Sequence, residues 1–365
     1  MSSWNEWDPL QEVVVGIADG SAVPPLHPAE EAKVFHLPNT KNNVGMRDPE
    51  KIKRANAQLD GFAEILRDHG VEVRRPRYDP NVGFRTPHFE SKTQNGATCP
   101  RDIITVIGNE IIEAPTPWRS RNFEFSAYRD LLVEYFREDK DMIWTPAPFP
   151  ALRDDLFREN YSDQASMRAE QVARREFVTH DWVEPTFDAA DIIRCGKDVF
   201  VLHSHTCNLA GFEWIKRQLS RRGIRAHLMQ TPSVLNASHY DASIMPLRSD
   251  LLLVSPLCVN DVDIFRENGW HVEVCAEPEI DQAGNDPNYH GKSGKWICMN
   301  VLPLGPEKVA VMEHDKAVTR QLESLDFEVV HVPFKDVVEF GGALHCCTMD
   351  IRRSGNCESY FPNLE

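Results

Sequence analysis

Four short stretches of this chain of 365 residues carry side chains able to do chemistry. Gly341-Gly342-Ala343-Leu344-His345-Cys346 places a thiol just after two glycines, which give the backbone freedom for close approach to a ligand. Pro100-Arg101-Asp102, Phe187-Asp188-Ala189-Ala190-Asp191 and His239-Tyr240-Asp241 add an imidazole and several carboxylates. A thiolate favoured by a nearby imidazolium is a nucleophile. The set suits covalent chemistry on a positively charged, planar carbon such as a guanidinium.

Each stretch also has a plainer reading. A free cysteine most often fills a core as a small apolar residue, and Cys347, whose side chain should point away from that of Cys346, is read that way. His239 and Asp241 are two apart, so on an extended segment their side chains share a face. One can then handle protons while the other holds a cation. Asp188, between an aromatic and two alanines, is suited to fixing a histidine tautomer as the third member of a triad does. Asp191 reads as a helix or turn cap, and Asp102 alone would be an ordinary loop acid. His203-Ser204-His205-Thr206-Cys207 alternates metal-ligand types, but the nine cysteines are irregularly spaced and form no CxxC pair. No metal site is expected.

The elements that must position these groups follow one recurring pattern: apolar strand, turn, amphipathic helix, turn, second strand. The first copy begins at Glu12–Ile17, with a helix over Pro49–His69 capped by Asp48, Gly70 as left-handed stop and a strand at Val71–Val73. Ile52, Ala55, Leu59, Phe62, Ala63 and Leu66 fall on one face of that helix. The second is Ile103–Ile107, Ile111-Ile112, a helix over Ala127–Arg137 capped by Ser126, and Met142–Trp144. The third is Val199–Leu202, a helix over Leu209–Arg221, then Ile224–Met229. The fourth is Leu251–Val254, Val262–Glu267 and His271–Val274; the fifth is Val309–Met312, Ala317–Leu325 and Phe327–Val330.

The period varies, which argues against a solenoid and for a closed ring of five units. A doubly wound sheet is the alternative, but no Gly-rich phosphate loop follows the first strand. The polar motifs lie at the unit boundaries, where a ring would bring them to its centre. The segments 79–100 and 146–185, rich in Pro and charge, read as long loops over that centre.

Composition bounds the rest. Hydrophobic residues make up 41% of the chain, enough for a substantial core, and no run approaches the roughly 18 apolar residues of a membrane span. The start, Met1-Ser2-Ser3-Trp4-Asn5-Glu6-Trp7, has no basic segment followed by an apolar one, so a cytoplasmic location is expected. A net charge of −16 argues against nucleic acid as partner and weakly favours a cationic small molecule.

The motifs taken together resemble the amidinotransferase family of the guanidine-modifying enzymes. The resemblance is carried by Trp4-Asn5-Glu6-Trp7-Asp8-Pro9-Leu10-Gln11-Glu12-Val13-Val14-Val15-Gly16, by the Phe187–Asp191 and His239–Ala242 stretches, and by Lys295-Trp296-Ile297-Cys298-Met299-Asn300-Val301-Leu302. Gly341–Cys346 followed by Asp350-Ile351-Arg352-Arg353-Ser354-Gly355 completes it, so the match spans nearly the whole chain. It implies an α/β fold, the five-bladed pseudo-symmetric α/β propeller (pentein), as a single domain over 1–365. It implies that Cys346 attacks the guanidino carbon of a donor, most simply L-arginine. His239 would protonate the leaving amine and deprotonate the incoming one, Asp188 would orient His239, and Asp102 and Asp241 would clamp the guanidinium. Arg101, Asn236, Ser293 and Asn300 join the expected substrate-binding set. No metal or organic cofactor is implied. The partners implied are a small-molecule guanidine donor and an amine acceptor, with a homodimer as an admissible assembly and no membrane. A related guanidine hydrolase is the runner-up, and a guanidine-binding protein without catalysis comes third.

Two positions depart from the family pattern. Cys258, in Ser255-Pro256-Leu257-Cys258, stands where the family commonly has an arginine, and Gly294 stands where it has a serine before the lysine. Both lost groups are implicated in gripping an amino-acid carboxylate. The acceptor expected is therefore an amine other than glycine, of the kind used in specialised biosynthesis.

Overall fold

The computed structural model describes residues 1–34, 44–78, 83–159, 161, 165–231, 239–279 and 295–364. Within them stand five three-stranded sheets of one design. A leading strand pairs antiparallel with a central strand, and the central strand pairs parallel with a trailing one. A parallel pair needs a crossover, and a helix supplies it each time. Arg129–Glu138 links Glu110–Glu113 to Ile143–Pro146, and Leu209–Ser220 links Asp198–Leu202 to Arg225–Met229. Asp263–Glu267 links Leu251–Val254 to His271–Val274, and Lys316–Ser324 links Lys308–Met312 to Glu328–Val332. Pro49–Asp68 links Leu10–Val15 to Glu72–Arg74. The central strands are apolar runs such as Leu251-Leu252-Leu253-Val254 because they are covered on both faces. No helix of the described residues is long and apolar enough to cross a membrane.

The first helix forms as its sequence directs: Asp48 accepts from the Glu50 amide at 2.9 Å, and Ala55, Leu59, Phe62, Ala63 and Leu66 are buried. Gly70 has φ +82°. The second differs. Glu124–Tyr128 is a 3-10 turn, the α-helix begins at Arg129, and Ser126 caps nothing. The tightening accompanies Glu124, which turns back to Arg121 with contacts of 2.7 and 2.8 Å. The expected long loops also contain structure. Ala165–Ala173 is helical, and Phe84–Arg85 pairs with Glu90–Ser91.

Four leading strands escape the sequence pattern: Ile192–Cys195, Ile244–Arg248, Leu302–Gly305 and Thr348–Arg353. Pro246 and Pro303 break two of them, and the ladder shifts register at both. Arg194 and Arg353 make the other two look exposed, yet both are 1% accessible. The last strand, Thr348–Arg353, pairs antiparallel with the first, Leu10–Val15, and closes the ring.

Closure creates a buried ion cluster. Arg194 binds Glu6 through Nε at 2.8 Å and Asp350 through Nη2 at 2.6 Å. Arg101 reaches Asp350 at 2.6 Å, and Arg353 reaches the same carboxylate at 2.8 Å. Burial pushes the Glu6 and Asp350 carboxyls up, but the surrounding arginines outweigh it and hold both well below the usual range. A depressed carboxyl stabilises the folded state fully above the ordinary pKa of about 4, and that contribution fades as pH falls through the folded value. Glu6→Gln leaves Arg194 short of a charge, and breaking such a buried pair costs about 3–5 kcal/mol. Urea denaturation at neutral pH should read that loss, and the gap between variant and wild type should narrow in acid.

Candidate active site

A short turn precedes every leading strand. Pro100–Asp102 precedes Ile104–Ile107, Ala189–Asp191 precedes Ile192–Cys195, and Tyr240–Ala242 precedes Ile244–Arg248. Lys295–Met299 precedes Leu302–Gly305, and a turn over 344–347 precedes Thr348–Arg353. Equivalent positions on five blades meet at the centre of the ring, and this is how Asp102, Asp188, His239, Asp241, Asn300 and Cys346 come together.

His239 Nε2 lies 2.8 Å from Asp188 Oδ2, which also accepts from Trp118 Nε1 at 2.7 Å. Burial pushes Asp188 up, but the hydrogen bond and charge of His239, with the charge of Arg121, bring it below the ordinary value. An ionised Asp188 takes the Nε2 proton, so Nδ1 is left for chemistry. That nitrogen faces Asp102 Oδ1 at 3.5 Å. Asp102 is itself fixed by Arg121 Nη1 through Oδ2 at 2.5 Å.

Asp241 Oδ2 gathers three contacts: His345 Nδ1 at 2.8 Å, Asn300 Nδ2 at 3.0 Å and Cys346 Sγ at 3.3 Å. His345 Nε2 lies 3.2 Å from Glu6 Oε2, which ties the site to the ion cluster. Asn300 Oδ1 accepts from the Cys346 amide at 3.0 Å. A Cβ on Gly342 would lie 2.4 Å from Cys346 Cβ, so only glycine lets the thiol sit there, while Gly341 has φ +114°. Burial first, then the charges of Asp241 and Asp102, push the Cys346 thiol well above its ordinary value. Without a cation between those carboxylates it stays protonated.

Oδ1 of Asp102, of Asp188 and of Asp241 are all buried without a hydrogen-bond partner among the described residues. Unsatisfied buried acceptors are costly. Those of Asp102 and Asp241, the two carboxylates whose charges act on the thiol, call for a cation rich in N–H donors, and a planar guanidinium is one. Asp102, His239, Trp118, Phe340 and Gly341 line a cavity here of about 30 Å³. That is about the volume of one water, so side chains must shift to admit a larger group.

Arg101 is turned away from this cavity. Its Nε donates to the carbonyls of His345 at 2.9 Å and Thr348 at 3.0 Å, and its Nη2 goes to Asp350. It braces the turn that carries Cys346. Asn236 and Ser293, like Gly294, lie outside the described residues. Asp191 caps its turn by accepting from the Asp188 amide at 3.4 Å, and it also accepts from the hydroxyls of Thr206 at 2.6 Å and Ser204 at 3.2 Å. His203 meets Asp181 at 2.9 Å, and His205 Nδ1 accepts from the Val178 amide at 3.3 Å. Cys258 is buried and accepts from the Thr231 hydroxyl at 3.3 Å.

Sequence reasoning missed Trp118, Arg121, Glu6 and His345. The run Trp118-Arg119-Ser120-Arg121 reads as a polar surface loop. His345 was signalled by its place beside the thiol, and Glu6 by its place in the Trp4–Gly16 stretch.

No family model matches the chain. The mitochondrial glycine amidinotransferase of Danio rerio is 39% identical over 363 residues, which cover 98% of this chain and 84% of that protein. The L-arginine:L-lysine amidinotransferase of Pseudomonas savastanoi pv. phaseolicola is 36% identical over 369 residues, covering 98% and 96%. Among solved structures, SxtG, an amidinotransferase from Microseira wollei in the saxitoxin biosynthetic pathway, superposes with a TM-score of 0.86 at 36% identity over 99% of each chain. The five-bladed α/β propeller, or pentein, is thus common to both chains.

Proposed function

The chain belongs to the amidinotransferase family, and from that premise we propose that it transfers the amidino group of L-arginine to an acceptor amine through a covalent adduct on Cys346. The observation that carries this reading is the pair of carboxylates, Asp102 and Asp241, that act on the thiol and each keep one buried oxygen without a hydrogen bond. A guanidinium held by Asp102 and Asp241 cancels the charges that keep Cys346 protonated. The thiol proton passes to His239, and the sulfur attacks the guanidino carbon. The bond from that carbon to the donor nitrogen breaks, and His239 gives its proton to the leaving amine, which departs as L-ornithine. The acceptor amine then attacks the amidino carbon and yields a proton to His239. The carbon–sulfur bond breaks and the thiolate returns. Asp188 keeps the imidazole in the tautomer that both steps need.

The acceptor is an amine other than glycine. Cys258 gives a glycine carboxylate no positive charge, and Arg248 faces Asp250 and the Phe327 ring instead. The test is incubation with L-arginine and a panel of amines. Ornithine formed only when an amine is present supports transfer, and citrulline formed in its absence overturns it in favour of hydrolysis.

Asp102→Asn and Asp241→Asn each remove a charged acceptor, and hydrogen bonds to charged groups are worth about 1.5–3 kcal/mol. Binding of L-arginine, measured on a Cys346→Ala background, should weaken by roughly 10- to 100-fold in each. Unchanged affinity in both removes these residues from the clamp.

A further inference from the structure

The buried arginines 101, 119, 121, 194 and 353 each pair with a carboxylate within 2.8 Å. Arg47 does not. Its guanidinium stacks on the Phe340 ring, 4.4 Å from the centroid, and Nη2 donates to the Glu339 carbonyl at 3.3 Å. Its Nε is closed off from solvent without a hydrogen-bond partner. The nearby Glu339 carboxylate is taken by Lys51 at 2.8 Å. A guanidinium carries five N–H donors, so most of those on Arg47 remain for a ligand. Burial holds its pKa below the usual arginine value, as for a cation short of an anion.

Arg47 also lies beside the site. Phe340, the ring under its guanidinium, lines the same cavity as Asp102 and His239. Cys99, another wall of that cavity, lies near Arg47 as well. Two neighbouring arginines are spent: Arg121 is held by Glu124 and Asp102, and Arg101 by Asp350 and two carbonyls. Among the described residues, Arg47 is a cation near the cavity with donors to offer.

We propose that Arg47 receives the carboxylate of the guanidine donor, which makes the donor an α-amino acid such as L-arginine. This rests on the amidino-transfer reading. The bidentate match of guanidinium to carboxylate favours Arg over Lys at such a position.

The experiment is single-turnover loading of Cys346, followed by intact-mass spectrometry, with L-arginine and with its decarboxylated analogue agmatine. Wild type should prefer L-arginine by at least about tenfold, the worth of one charge-assisted hydrogen bond. Arg47→Met should lower the L-arginine:agmatine preference by roughly 10- to 100-fold, and Arg47→Lys should fall between. Loading by agmatine reports that each variant is folded, and Arg47→Lys serves should Arg47→Met fail that check. An unaltered preference in the variants overturns the assignment. So does an altered rate for carboxylate-bearing acceptors with donor loading unaltered, which moves Arg47 to the acceptor. A wild type that neither guanidine loads overturns the amidino-transfer reading itself, and this proposal with it.

Discussion

Cys346→Ser will lose turnover by at least about 10⁴-fold, while Cys347→Ser will keep most of it. The two thiols are neighbours in sequence but not in chemistry. Cys346 Sγ lies 3.3 Å from Asp241 Oδ2, whereas Cys347 Sγ faces Cys99 Sγ at 3.9 Å within the core. A serine hydroxyl at the first position is too weak a nucleophile near neutral pH. Given donor alone, the wild type should gain the mass of one amidino group, mapping to Cys346. An adduct on Cys347 or Cys99 sinks the assignment. The pH behaviour adds a second reading. Burial and two carboxylates push the resting thiol up, so a small neutral alkylating agent should modify Cys346 in the empty enzyme slowly at neutral pH and faster as pH rises. Rapid modification of the empty site at neutral pH would mean that the thiolate forms without a substrate cation.

His239→Ala should slow both half-reactions, by roughly 10²–10⁴-fold each, because one imidazole gives a proton in the first and takes one in the second. Asp188→Asn should slow both as well while sparing donor binding, since the imidazole then loses the acceptor that fixes its tautomer. Single-turnover loading followed by a separate chase with acceptor resolves the two steps. Loading at the wild-type rate in His239→Ala would give the first proton transfer to another group, and Asp102, which faces Nδ1 at 3.5 Å, is the one in place to take it.

The repeat was legible because its central strands and helices obey local rules. Val309–Met312 and Leu251–Val254 are apolar runs, and the face Ala55-Leu59-Phe62-Leu66 has helical spacing. The leading strands were not, because Arg194, Arg353, Pro246 and Pro303 are acceptable only in context. The arginines need Glu6 and Asp350, which reach Arg194 across 188 and 156 residues. The prolines need the register shifts at their own ladders.

The candidate residues divide in the same way. The types of Asp102, Asp188, His239, Asp241 and Cys346, and their places at the boundaries of the repeat, were fixed by sequence alone, because each sits in a turn that its own neighbours define. Which atom faces which was decided by ring closure. His239 meets Asp188 across 51 residues, and Cys346 meets Asp241 across 105. The same closure turned Arg101 from a candidate ligand into a brace for the turn that carries Cys346, and set Arg47 beside Phe340. Local spacing governs apolar faces and turns because those forces act within a few residues. The direction of a polar side chain depends on the partners that five converging blades bring within hydrogen-bond reach, and no stretch of sequence contains them.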